Sequence, residues 1–401
     1  MRFQERIGIL GGGQLGRMLA EAAARLGLCP VIFSSEPDCP ASKISSNIVV
    51  GDFEEPQKLE NFLENTAAVI YENEFIPYEV VKKAAFKKKT AFIPSLDTLF
   101  IFQDKLRQKE LLDKLKIPTA PYEKLIQQDL SEWLSRVLQK FNGNAILKWA
   151  QLGYDGKGIF HLTPQSKEKA LEFCKRAEIK KIPLYAEAYV PFKRELALVA
   201  CYSTKGKFSA YPLVISKQEK GICKTVYGPA VSLDVPETLQ KKAFHYAKLT
   251  AESSQLFGVF AIEFFETPSG ELWVNEIAPR VHNSGHYTLM GAQTSQFENH
   301  LRAALGIPLG STETAPAFAM QNLIGPPEIS CDEQQVSLPL PPPSVQLYWY
   351  GKGKILPWRK LGHLNSIRVH PSQMDEMLQE LSQIDERWMN QIRMELGAAC
   401  L

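Results

Sequence analysis

A short apolar run from Arg6 to Leu10 ends in Gly11-Gly12-Gly13-Gln14-Leu15-Gly16, and apolar residues then recur at helical spacing from Gln14 to Leu26. This strand, glycine turn and helix constrain the fold more than any other stretch. Parallel strands need a crossover, usually a helix, so the pattern commits the start of the chain to an α/β domain with a parallel sheet. Cys29–Phe33 and Ala67–Tyr71 read as its next strands. Gly11, Gly13 and Gly16 also satisfy GxGxxG, with Glu36 about twenty residues on, as in dinucleotide-binding domains. There the glycines let a phosphate approach the N-terminus of the helix, where unpaired N–H groups favour an anion. A tight turn with no ligand would need the same glycines. A nicotinamide-dependent oxidoreductase and a plain turn both remain open on this motif.

The rest of the chain has a different texture. A charged helix over Gln103–Leu115 should stop at Ile117-Pro118, because the residue before proline is pushed out of helical space. A domain boundary falls near there. Ala145–Trp149, Gly158–Leu162, Leu184–Val190, Glu195–Tyr202 and Phe208–Val214 are short β-like runs with a helix at Lys167–Ala177, the signature of an α+β region with an antiparallel sheet. Phe257–Glu266 and Leu272–Ala278 add two strands, Val345–Tyr350 another, and a last helix starts near Gln373. At 401 residues the chain has room for two or three domains. A formal charge of +2 argues against a general nucleic-acid binder, and no apolar run reaches the roughly eighteen residues that span a bilayer. The N-terminus lacks the form of a secretory signal. Seven scattered cysteines without a CxxC pair fit a reducing, cytoplasmic compartment and suggest neither a disulfide framework nor a zinc site.

Two constellations carry chemistry. If Phe257–Glu266 and Leu272–Ala278 pair through a four-residue loop at Pro268–Glu271, Glu263 stands opposite Glu276. Like charges directly opposed destabilise a sheet, and the apolar setting VFAIEFF adds a burial penalty. A divalent cation, magnesium with phosphate as co-ligand, would remove the conflict. A shifted register with one glutamate exposed is the plainer alternative. Lys105, Lys148 and Gly153-Tyr154-Asp155-Gly156-Lys157-Gly158 supply cations and a glycine-rich loop that could fold over a triphosphate. Singly, each lysine reads as a solvated surface charge, and the loop as a hairpin turn.

Taken in order, Lys105, Lys148, GYDGKG, Glu187-Ala188-Tyr189-Val190, Glu195, Glu263 and Asn275-Glu276 resemble the ATP-grasp superfamily. More narrowly, GGGQLGRM at 11–18, YENE at 71–74, NEIAPRVHNSGH at 275–286, SQFENHLRAALGIPLG at 295–310, YGK at 350–352 and RKLGH at 359–363 resemble the 5-(carboxyamino)imidazole ribonucleotide synthetase family. The resemblance covers nearly the whole chain. It implies three domains: an N-terminal Rossmann-like α/β domain over 1–100, an ATP-grasp domain over 101–310 with a mobile lid at about 118–190, and a C-terminal segment over 311–401. It implies a cytoplasmic homodimer of purine biosynthesis that uses ATP, bicarbonate and 5-aminoimidazole ribonucleotide, with magnesium, and makes the carbamate through carboxyphosphate. It also re-reads GGGQLG as a ribonucleotide-binding loop.

The resemblance further implies roles for single residues. Lys105, Lys148, the loop Gly153 to Gly158 with Ile159, Glu187, Ala188, Tyr189, Val190, Glu195, Asn275 and Glu276 would bind ATP, with Glu263 and Glu276 on the metal. Gln14, Leu15, Glu74, Tyr154, Arg280, His282, Lys352 and Arg359 would bind the ribonucleotide or bicarbonate, with Lys352 and Arg359 on the ribose phosphate. Asp155 would accept a proton and Arg280 would hold bicarbonate or carboxyphosphate, beside Asn283. Phe264, Phe265 and Trp273 read as core. The chain departs from the family pattern in four places. Trp149-Ala150-Gln151-Leu152 lacks the usual basic residues and glycine, Ile215-Ser216-Lys217-Gln218 replaces ENxH, Leu356 stands for an arginine and Trp358 for a glycine. The departures motivate one rival reading, a divergent protein that binds ribonucleotide or ATP without efficient turnover. A second rival, a formate-using ATP-grasp ligase, fits the segment 280–286 poorly.

Overall fold

The computed structural model describes residues 5–125, 129–153 and 158–396. The first domain is a five-stranded parallel sheet in the order Ile48–Val50, Cys29–Ser34, Arg6–Leu10, Ala68–Tyr71, Ala91–Ile93. The chain runs outward from Arg6–Leu10 in one direction, then returns to lay Ala68–Tyr71 on its other side. Such a reversal of strand order leaves a crevice at the carboxyl ends of the two strands beside it. Here those ends carry GGGQLG and YENE. The helix Gln14–Arg25 buries Leu15, Met18, Leu19, Ala22 and Ala23, an i, i+3, i+4, i+7, i+8 face, against this sheet and the helix Gln296–Ala304.

The helix expected over Gln103–Leu115 runs Lys105–Leu115, and a separate helix, Leu96–Phe102, precedes it. Asp104 separates them: its carboxylate accepts from Leu106 N–H at 2.9 Å and Arg107 N–H at 3.2 Å, capping the second helix. Lys105 is thereby the first helical residue.

A nine-stranded antiparallel sheet forms the body, in the order Leu272–Ala278, Gly258–Glu266, Arg194–Tyr202, Val214–Glu219, Ile222–Gly228, Ala317–Ile324, Lys360–Arg368, Val345–Trp349, with Phe208–Ala210 beside Arg194–Tyr202. The run read as one strand, Phe208–Val214, is two pieces, because Pro212 interrupts the ladder. Ile222–Gly228, Ala317–Ile324 and Lys360–Arg368 escaped the sequence reading. Every residue of Ala317–Ile324 is buried, so no polar alternation marks it. The last three strands in the order come from beyond residue 310 and share the sheet with the Glu263–Glu276 hairpin. The helix Met374–Leu396 covers them with Met377, Leu381, Ile384, Trp388 and Ile392, and Lys224 Nζ meets Asp385 Oδ2 at 2.6 Å beneath it.

A separate four-stranded sheet, Tyr122–Lys124, Leu184–Ala188, Ala145–Trp149, Ile159–Leu162, has its own core of Trp133, Leu134, Val137, Phe173 and Cys174 under the helices Leu130–Lys140 and Lys167–Ile179. Between this sheet and the larger one lies a cleft. Among the described residues no helix is long and apolar enough to cross a membrane.

Candidate active site

The cleft has a volume of about 1470 Å³ and takes lining residues from all parts of the chain. At the crevice of the first domain, Gln14, Leu15, Glu72, Asn73 and Glu74 face it. Glu74 is clamped by Arg280: Oε1 accepts from Nη2 at 3.0 Å, and Oε2 from Nε. Burial would raise the Glu74 carboxyl, but Arg280 overrides it and holds the group below the usual range. Glu36, the acid that a dinucleotide site would need, is exposed and does not line the cleft.

The hairpin places Glu263 opposite Glu276, as the sequence predicts, by a different route. Nearest the turn, Glu266 pairs Leu272 and Phe264 pairs Val274, so the loop is five residues, Thr267–Glu271, rather than four. A bulge at Asn275 restores the pairing of the two glutamates. It also lets consecutive residues Asn275 and Glu276 both line the cleft, where a regular strand would send them to opposite faces. Burial first, and Glu276 second, push the Glu263 carboxyl up to about 7. Glu195, half-buried and facing Glu263, is pushed up to about 7 as well, by desolvation first and Glu263 second.

Both expected lysines reach this cleft. Lys105 Nζ lies 2.5 Å from Glu276 Oε2. Burial would depress this lysine, but Glu276, with Glu74 and Glu263 behind it, raises it, so it stays charged. Lys148 Nζ donates to Asn275 Oδ1 at 3.1 Å and meets Glu187 Oε1 at 2.5 Å. The other oxygen of Glu187 lies 3.0 Å from Lys109 Nζ. In the sequence Lys109 is one cation of a charged helix with nothing to single it out, yet it is almost wholly buried. The Glu187 side chain therefore holds two lysines, and the backbone of Ala188 to Val190 is left to edge the cleft.

Ala188, Tyr189, Val190, Gly153, Ile159, His282, Asn283, Lys352 and Arg359 also line it. Gly158 does not; it packs on Trp149, whose N–H donates to its carbonyl at 2.8 Å. Tyr154, Asp155, Gly156 and Lys157 lie outside the described residues. His282 is held by Gln296, which accepts from its N–H at 2.9 Å and donates to its carbonyl at 2.7 Å. Burial, then Arg280 and Lys360, push its imidazole well below the usual value, so it is neutral. Phe264 is core, but Phe265 lines the cleft and stacks on Phe192 at 4.9 Å, a correction to its reading as core. The four residues 215–218, Leu356 and Trp358 border the same space.

Three family models match in succession: the ribonucleotide synthetase preATP-grasp domain over residues 4–103, the ATP-grasp domain over 110–297 and the phosphoribosylaminoimidazole carboxylase C-terminal domain over 319–377. An N5-carboxyaminoimidazole ribonucleotide synthase from Brucella melitensis is 36% identical over 90% of this chain and 96% of its own. The chain belongs to the N5-carboxyaminoimidazole ribonucleotide synthase family. As a member of this family it is an ATP-grasp ligase of purine biosynthesis. Among solved family structures, the synthetase from Thermus thermophilus is 38% identical with a TM-score of 0.81, covering 94% of this chain and 98% of that one. The enzyme from Aspergillus clavatus, solved with ADP and 5-aminoimidazole ribonucleotide, is 31% identical with a TM-score of 0.83, covering 96% and 100%.

The cleft of this family member also bears on a metal. Among the described residues no group of three or more His, Cys, Asp or Glu is placed to hold a metal ion by itself. The opposed, cleft-facing carboxylates of Glu263 and Glu276 nevertheless fit one whose remaining ligands are phosphate oxygens, and an ammonium already sits on Glu276.

Proposed function

We propose that this chain carboxylates the amine of 5-aminoimidazole ribonucleotide, consuming ATP and bicarbonate and releasing ADP and phosphate. The observation that carries the reading is the convergence on one cleft of two ion-paired lysines, two opposed carboxylates and an arginine clamp, beside Lys352 and Arg359. A bicarbonate oxygen attacks the γ-phosphorus, the bond to the β,γ-bridging oxygen breaks, and ADP leaves with carboxyphosphate formed. The amine nitrogen then attacks the carboxyl carbon, phosphate leaves, and Asp155 takes the amine proton.

The chain's own contribution is to hold anions together. Lys105, now on Glu276, and Lys148, now on Glu187, are the cations available to the triphosphate. Magnesium would be held by Glu263 and Glu276, and would neutralise phosphate charge when bound. Ala188 to Val190 present backbone to the adenine and Glu195 accepts from the ribose. Arg280, steered by Glu74, offers a planar fork to bicarbonate or carboxyphosphate, next to neutral His282 and Asn283. Lys352 and Arg359 take the ribonucleotide phosphate, with Gln14, Leu15 and Glu74 around the rest. The small sheet within 118–190 acts as the lid. The working form is a cytoplasmic homodimer, and light scattering on the purified chain checks its mass.

The test is ADP release with ATP, magnesium and labelled bicarbonate, with and without the ribonucleotide. Ribonucleotide-dependent ADP, matched by label in an acid-labile carbamate, is the expected result. Ribonucleotide binding with no turnover would replace the reading with a binding role, and would direct attention to residues 149–152 and 215–218.

A further inference from the structure

In a dinucleotide-binding turn the N-terminus of the helix faces a ligand phosphate. In this chain it faces Glu72. Gly13 is the N-cap of the helix Gln14–Arg25 and has no side chain to cap it. The Glu72 carboxylate supplies the cap, Oε2 accepting from Gly13 N–H at 2.5 Å. Glu72 reaches this place because its strand neighbours Arg6–Leu10, and its own N–H donates to Leu10 O at 2.9 Å.

The three glycines of GxGxxG fit around that carboxylate. A Cβ on Gly13 would lie 2.0 Å from Glu72 Oε1, and one on Gly11 2.5 Å from Oε2. A Cβ on Gly16 would meet Gly11 O at 2.5 Å, so the third glycine lets the turn close over the same group. Gly11 also has φ +115°, a conformation that other residues rarely adopt. Glycines that elsewhere admit a pyrophosphate here admit a side chain of the protein.

We infer that Glu72 is a positioning and specificity residue that occupies the phosphate place of the glycine turn, fixing Gln14 and Leu15 against the cleft and refusing a phosphate group there. The inference deepens the ribonucleotide reading above and rests on it for the identity of the substrate. It explains how one turn can carry the dinucleotide motif without being a dinucleotide site.

The experiment compares Glu72→Ala and Glu72→Gln with the unaltered chain. Calorimetric titration with inorganic phosphate should show one more phosphate bound per chain in Glu72→Ala, where the anion position is vacated. In the same variant KM for the ribonucleotide should rise about tenfold, the scale of a lost helix cap, with kcat held. Glu72→Gln keeps an oxygen for Gly13 N–H and loses only the charge, so its KM should rise about threefold. Equal phosphate uptake by Glu72→Ala and the unaltered chain overturns the inference, as does a fall in kcat at constant KM. Where Glu72→Ala does not fold, an unchanged KM in Glu72→Gln overturns it. The phosphate titration needs no ribonucleotide, so its outcome is separate from that of the substrate reading.

Discussion

Glu187 and Glu263 are both carboxylates on β-strands at the walls of one cleft, one in the small sheet and one in the large. Glu187 lies between Lys148 and Lys109; burial would raise it, but the two lysines win and hold it below the usual range. Glu263 lies opposite Glu276, and burial together with that neighbour takes it up to about 7, against the pull of Lys105, Lys360 and Lys148. Burial acts on both, and only the neighbours differ. A carboxylate satisfied from within the chain, as Glu74 on Arg280 also is, needs no charge from outside. A carboxylate left facing another marks the place where charge must come from outside.

The largest expected effect breaks the satisfied side. Glu187→Ala leaves two buried lysines unpaired and should cost about 3–5 kcal/mol of stability, read as a urea or thermal midpoint. A midpoint close to the unaltered chain's would show that Lys109 and Lys148 do not need this partner. The next concerns pH. The folded chain binds the Glu263 proton more tightly than the unfolded chain does. Its contribution is therefore full below about pH 4.5 and is lost as pH rises towards 7. Without divalent cation, Glu263→Gln should gain on the unaltered chain across that window, and a flat difference between the two would contradict the opposed-carboxylate picture. A smaller effect follows Arg280→Lys, which replaces a two-pronged clamp on Glu74 by a point charge: KM for bicarbonate should rise about tenfold. Unaltered KM would remove Arg280 from that role. The smallest is Leu152→Gly. Leu152 has φ +60°, and a residue without Cβ should recover about 1 kcal/mol there, visible as a slightly higher midpoint.

Much of this arrangement is legible in the sequence, and the exceptions have physical causes. The hairpin that carries Glu263 and Glu276 follows from strand pattern and turn residues alone. The bulge at Asn275 does not, since a single extra residue leaves no mark in the hydrophobic alternation. The GxGxxG turn is recognisable as strand–turn–helix, but its occupant comes from residue 72, brought alongside only by sheet order. Lys109 looks like one more surface cation because the helix Lys105–Leu115 is heavily charged; what pairs it in the interior is the remote Glu187, shared with Lys148. Two departures from the family pattern also acquire meaning. Leu152 and Trp358 both have positive φ, at +60° and +63°, in the region where glycine is at ease. Trp358 borders the cleft and lies under Lys220 Nζ, 4.2 Å from its ring centre.

The most direct test of the contrast is a side-by-side measurement of Glu263→Gln for both turnover and stability. Ribonucleotide-dependent ADP release with magnesium should fall on the order of a hundredfold, while the denaturation midpoint measured at neutral pH without magnesium stays level or rises. Turnover close to that of the unaltered chain, or a midpoint that collapses, would contradict the claim that the opposed carboxylates are the working centre rather than part of the framework.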